Sequence, residues 1–229
     1  MYLRSVRVIT QPEIEPVTLA EAKSQVGLLQ EQEDDNALLL RLIATGRNLV
    51  EQKLGVALAA KRLRATFVKE NAQSPVAYSG LSSLLGFGGF GGYGGVGAFP
   101  YPSAYPSVTD PRDIRLPAPP LLVDADHPLA IQLDGVDVDP SKFTVDADSM
   151  PGVVRFNDEP IIAPRGSMQV LYWSGPAPGD RISPNRVSAI LMIVSHLYRN
   201  REATTEGSLK EMPIGLEALL AAESVTGAY

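Results

Sequence analysis

The stretch from residue 183 to residue 201, SPNRVSAILMIVSHLYRNR, constrains this chain more than any other. Ser183 suits a helix N-cap, and Pro184 suits the first helical position, where a missing N–H is no loss. Arg199 and Arg201 fall in the expected last turn, at the negative end of the helix dipole. Val187, Ile190, Leu191, Val194, Leu197 and Tyr198 recur at helical spacing, while Ala189, Met192 and Ile193 fill much of the remaining circumference. A helix that is apolar nearly all round must be covered on most sides. Its longest unbroken apolar run, residues 189–194, is far below the ~20 residues of a bilayer span. The spacing therefore predicts a core helix, or one wedged between protein layers or subunits.

A polar linker follows, from Thr204 to Lys210, and then an apolar segment, Met212-Pro213-Ile214-Gly215-Leu216-Glu217-Ala218-Leu219-Leu220. Ile214, Leu216, Leu219 and Leu220 can line one side of a short helix. Such a tail either folds back onto its own core or docks on a partner.

At the other end, residues 1–17 read as an extended arm with a short strand around Val6, Val8 and Ile9. Pro12 and Pro16 discourage helix there. Thr18 and Glu21 form a capping box, in which each side chain satisfies the other residue's backbone N–H. The helix they open shares Leu19, Ala22 and Val26 on one face and ends at Gly27. A second helix, about 35–54, is capped by Asp34, Asp35 or Asn36 and stopped by Gly55. Leu39, Leu42, Ile43, Val50 and Leu54 form its apolar stripe, and Arg41, Arg47 and Glu51 are expected to face water. Together the two helices read as an antiparallel hairpin.

From Arg62 to Lys69 the chain alternates, with Leu63, Ala65 and Phe67 on one side, the mark of a half-buried strand. Residues 79–107 are then low in complexity, with aromatics on a three-residue beat at Phe87, Phe90 and Tyr93 among glycines. Glycine and proline at this density make no ordinary core element, so the stretch reads as an insertion, either a flexible loop or an arm whose aromatics contact a neighbouring subunit. Gly86, Gly88 and Gly91 match a dinucleotide fingerprint formally, but no strand precedes them and no helix follows. Residues 113–174 read as antiparallel strands at 113–116, 121–123, 129–133, 136–138, 143–145, 153–156 and 167–173. Asp134-Gly135 and Pro151-Gly152 mark turns between them. Trp173 reads as a packing residue under the loop at 176–178.

The residues give no chemistry a foothold. The histidines are His127, in an aspartate-rich turn, and His196, at the polar edge of the long helix. Asp134, Asp137 and Asp139 lack the spacing and closing glutamate of a calcium loop, and Asp158 and Glu159 are neighbours that point apart on a strand end. Phosphate loop and nucleophile elbow are both missing. The chain has no cysteine, which removes disulfides, thiol catalysis and cysteine-bound metal and suits a reducing compartment. Its first residues form no apolar core of a secretory signal. A formal net charge of −6 argues against a broad electrostatic grip on DNA. The residues alone thus predict an α+β protein without catalytic or metal site and without cofactor. Its parts are an arm and helical hairpin (1–60), a β module carrying the insertion (61–180), and a core helix with a docking tail (181–229). Its function class is a binding or assembly module.

Three motifs in this order carry a resemblance: Pro16-Val17-Thr18-Leu19-Ala20-Glu21-Ala22-Lys23, then His196-Leu197-Tyr198-Arg199-Asn200-Arg201-Glu202, then Pro213 to Leu220. The chain resembles the tailed-phage head-tail connector (adaptor) family, apart from residues 72–110. The resemblance implies a virion structural protein that forms a ring, typically of twelve subunits, between portal and tail. It lies in the neck of the virion, after assembly in the host cytoplasm, away from membranes. Its partners are the portal protein, a stopper or tail-completion protein and further copies of itself, with DNA only as cargo passing through the lumen. The resemblance assigns portal docking to Pro213, Ile214, Leu216, Leu219 and Leu220, and the body and ring contacts to the helices, with Val187, Ile190, Leu191, Val194 and Tyr198 on the long one. Another neck protein, or a protein- or carbohydrate-binding accessory module using the aromatic arm, are the alternative readings.

Overall fold

The computed structural model describes residues 2–69, 110–163, 166–200 and 214–224. In chain order these form β1 (Tyr2–Thr10), α1 (Leu19–Val26), α2 (Asn36–Leu54), β2 (Lys61–Val68), β3 (Asp113–Arg115), β4 (Leu121–Leu122), β5 (Ala130–Leu133), β6 (Val136–Asp137), β7 (Phe143–Asp146), β8 (Val153–Phe156), β9 (Met168–Ser174), α3 (Pro184–Arg199) and α4 (Ile214–Ser224). The class is α+β, as the patterning requires. The insertion aromatics Phe87, Phe90 and Tyr93, and Pro213 at the tail, lie outside the described residues.

Two antiparallel sheets face each other. One runs β1-β2-β9-β5-β6, with β4 also on β9, and the other runs β3-β8-β7. Period-two alternation decides what lies between them. On β2 the side chains of Leu63, Ala65 and Phe67 point inward, on β9 those of Met168, Val170 and Tyr172, and on β8 those of Val154 and Phe156. The β5–β6 hairpin turns at Asp134 and Gly135, with φ of 53° and 85°, the left-handed pair that a two-residue hairpin needs.

The four helices enclose a second core. Val17, Ala22, Leu39, Ile43, Val50 and Leu58 from the N-terminal part meet Ala189, Ile190, Ile193, Val194, Leu216 and Leu220 from the C-terminal part. Helices from the two ends of the chain thus build one body, and β1 joins the later strands to build the other. The capping box at Thr18 and Glu21 forms as the sequence implies, with Thr18 N donating to Glu21 at 2.8 Å and Glu21 N to Thr18 at 3.2 Å. Gly27 and Gly55 close α1 and α2 in the left-handed region.

Helix α2 crosses α3 closely at Gly46, where an added Cβ would lie 3.2 Å from the Ile190 carbonyl oxygen and 3.3 Å from its side chain. The missing side chain lets the two backbones approach. Gly46→Leu forces them apart and should lower stability by about 1–3 kcal/mol in chemical denaturation.

Two local expectations are corrected. Arg47 and Glu51 do not face water: they are 2% and 0% exposed. Asp35 and Ser183 stand at N-cap positions, but neither side chain caps its own helix. The Asp35 carboxylate accepts from the Tyr198 hydroxyl, and the Ser183 hydroxyl donates to Glu223, so long-range partners outcompete the local N–H groups.

Candidate functional site

The first feature that the geometry singles out is the joint between helical body and sheets. Glu51, in the last turns of α2, accepts from Lys61 Nζ at 2.6 Å, from Arg47 Nη1 at 3.1 Å and from Leu58 N at 2.8 Å. Arg47 continues to Glu15 in the N-terminal connection, its Nε donating at 2.7 Å. Two cations and two carboxylates thus balance, and the innermost three are almost fully buried. Burial pulls Lys61 below its ordinary value, while Glu51 opposes that shift. Beside this cluster residues 117–120 act as a peg. Pro117 O accepts from the Tyr172 hydroxyl, Ala118 O from Ser174, Pro119 O from Ala57 N and Pro120 O from Gly175 N. Gly175, at φ +136°, would drive a Cβ to 2.7 Å from the backbone of Ala59 and Ala60. The α2–β2 connection is therefore held rigidly against β9.

The second feature is α4. It lies against α3 and α2, with Leu216 1% and Leu220 4% exposed in the helical core and Leu219 half-buried. Its far end is clamped by Glu223, which accepts from Ser183, from Asn185 Nδ2 at 3.3 Å and from Arg186 Nε at 2.8 Å. The Ser183 hydroxyl and the Arg186 guanidinium hold the Glu223 carboxyl below its ordinary 4.5. A depressed carboxyl stabilises the folded form fully above the unfolded value and loses that contribution as pH falls through the folded one. Acidification across the low carboxylate range should therefore speed amide exchange in α4, and Ser183→Ala together with Arg186→Ala should abolish most of that pH dependence.

The chain shares its fold with chains of gene transfer agent particles. A chain from the neck of an empty gene transfer agent (GTA) particle, computed with C6 symmetry, superposes with a TM-score of 0.63 at 14% identity, covering 96% of this chain and 94% of that one. A chain from the virion of the native particle gives 0.62 at 13% identity, covering 96% and 94%. One from the native neck, computed with C12 symmetry, gives 0.58 at 14% identity, covering 97% and 94%. No protein-family model matches the sequence, and no curated protein matches it. The likeness is one of fold across almost the whole chain, and it agrees with the resemblance to head-tail connectors carried by the two ends.

Within this fold, the residues marked on the long helix divide. Ile190 and Val194 are buried in the helical core, whereas Val187, Leu191 and Tyr198 are half-buried at its margin. Leu216 and Leu220 occupy the chain's own groove, the first of the two arrangements open to such a tail. Ile214 opens α4.

The aspartates are engaged within the chain. Asp134 accepts from Ala163 N at 2.9 Å and Ser167 N at 2.8 Å, and Asp139 from Ser141 N at 2.9 Å. His127 Nδ1 lies 2.7 Å from Asp124, and its ring meets Trp173 edge-on at 4.9 Å, so the ring contact of Trp173 is with this turn. His196 lies 3.4 Å from Asn200 Nδ2. No helix among the described residues is long and apolar enough to cross a membrane.

Sequence reasoning missed Arg47, Glu51, Lys61 and Glu223. One signal was available: Lys61 stands two residues before Leu63, on the inward side of the alternation, and an inward lysine demands a carboxylate.

Proposed function

We propose that the chain is a head-tail connector (adaptor), a structural and non-enzymatic component of a phage-type virion neck, forming a ring between portal and tail through which DNA passes. The observation that carries this is the neck fold over 96% of the chain, together with the connector motifs at its two ends. A twelve-subunit ring accords with the C12 symmetry of one neighbour. An acidic chain, net −6, suits a lumen that does not hold its cargo.

In this reading the portal receives the segment from Pro213 to Leu220. Helix α4 leaves the groove of α2 and α3 and presents Leu216, Leu219 and Leu220 to a groove on the portal, while the polar linker supplies the reach. The tail side receives a stopper or tail-completion protein. Another neck role is the second reading, because the neighbours' names specify the neck and not the position within it.

The purified chain should be monomeric or weakly associated at low micromolar concentration and should form rings on portal-bearing heads, as read by sedimentation with and without such heads. A tight monomer that never binds them would contradict the connector role.

A further inference from the structure

The outer face of the six-stranded sheet gathers three arginines: Arg7 on β1, and Arg62 and Arg64 on β2. Their neighbours Leu63, Ala65 and Phe67 fill the core, so the pleat sends Arg62 and Arg64 to the opposite side. Arg7 stands directly across from Arg64 in the β1–β2 register. Like charges in that position destabilise a sheet unless an anion compensates them. On the next strand, β9, Arg62 faces Trp173 and Arg64 faces Leu171, neither of which supplies a carboxylate. Among the described residues none of the three arginines forms an ion pair. The Nε atoms of Arg62 and Arg64 are buried without a hydrogen-bond partner. On the far side of the sheet Asp137 is already engaged by Gln132.

Half-buried arginines beside a tryptophan, with Tyr2 51% and Ile9 42% exposed on the adjoining edge strand, have the composition of a protein interface core. A broad grip on a phosphate backbone needs many clustered cations, and this chain carries a net charge of −6. Complementary charge lies on the same chain. The α1–α2 connection exposes Glu31, Glu33 and Asp34, none of them in an ion pair among the described residues. One patch belongs to the sheet and the other to the helical body, and a closed ring requires two different patches that fit each other.

We infer that the face formed by Arg7, Arg62 and Arg64 in one copy receives the acidic connection of Glu31, Glu33 and Asp34 from a second copy. The guanidinium forks pair with its carboxylates, and the like-charge strain between Arg7 and Arg64 is relieved only in the assembly. This contact rests on the ring reading and specifies which surfaces close the ring.

The chain has no cysteine, so an engineered pair reports the contact without background. Arg7→Cys with Glu33→Cys in one full-length chain, oxidised mildly at several hundred micromolar, should give a ladder of disulfide-linked oligomers. Two further sets of substitutions carry the charges. With the cysteine pair retained, Glu31→Lys together with Asp34→Lys should abolish the ladder. In the chain without cysteines, Arg62→Glu with Arg64→Glu should abolish incorporation into particle necks, and adding Glu31→Lys, Glu33→Lys and Asp34→Lys should restore it. If the arginine variant does not fold, the exposed acidic variant decides alone. Absence of a ladder at every concentration overturns the inference, as does a ladder indifferent to the acidic substitutions. Loss of duplex DNA binding in the arginine variant with self-association unchanged assigns the face to nucleic acid and also overturns it. Wild-type chain present in necks, with both charge variants incorporated equally well, sinks this contact alone. Wild-type chain absent from necks sinks the ring reading itself.

Discussion

Replacing Glu51 by alanine is expected to lower stability by about 3–5 kcal/mol, because it leaves a buried arginine and a buried lysine without their shared carboxylate. The same change strips Leu58 N of its acceptor at the α2–β2 connection. For a chain of this size that corresponds to a fall in melting temperature on the order of 10 °C. Glu51→Gln keeps an acceptor for Leu58 and should cost less. The decisive companion is apolar replacement of the buried set, Glu51→Leu with Arg47→Met and Lys61→Met, which should recover the part of the loss due to unpaired charge and leave only the cost of the unpaired Leu58 N. A loss below about 1 kcal/mol for Glu51→Ala would show that water enters the joint and that the charges are not confined as the structure has them.

The second large effect is at α4. Leu216→Asp with Leu220→Asp removes two buried leucines, each contributing about 1.5–3 kcal/mol, and forces charge into the helical core. The loss has a ceiling, because α4 packs against α3 and α2 and can detach without opening the sheets. The expected result is loss of amide protection throughout α4, with the strands β2 and β9 still protected. In a producing cell, the same variant should give heads that accumulate without tails. Protection of α4 unchanged in the double variant would mean that these leucines do not hold it.

What was legible in the sequence is what is local. The Thr18–Glu21 box, the stops at Gly27 and Gly55, the Asp134-Gly135 hairpin and the inward alternation of Leu63, Ala65 and Phe67 each depend on residues a few positions apart. Arg47 and Glu51 misled for the same reason: an opposite-charge pair at i and i+4 is the usual mark of a solvated helix face. Only Lys61, ten residues on, and Glu15, thirty-two residues back, turn that pair inward. Asp35 looked like a cap and instead receives the Tyr198 hydroxyl from 163 residues away. The central place of β9 between β2 and β5 is likewise non-local. The apolar side of the tail was visible from spacing, but spacing does not say whose groove it fills. Glu223, which clamps α4 to the start of α3, follows the apolar segment and carries no local pattern.

We propose that this chain is a ring component of a particle neck. The most direct test is high-resolution imaging of particles assembled with and without the gene for this chain, with no symmetry imposed on the neck. A ring of this fold between portal and tail is expected in the first sample, and tailless heads lacking that ring in the second. Complete, tailed particles in both samples, with no density of this fold at the neck, would contradict it.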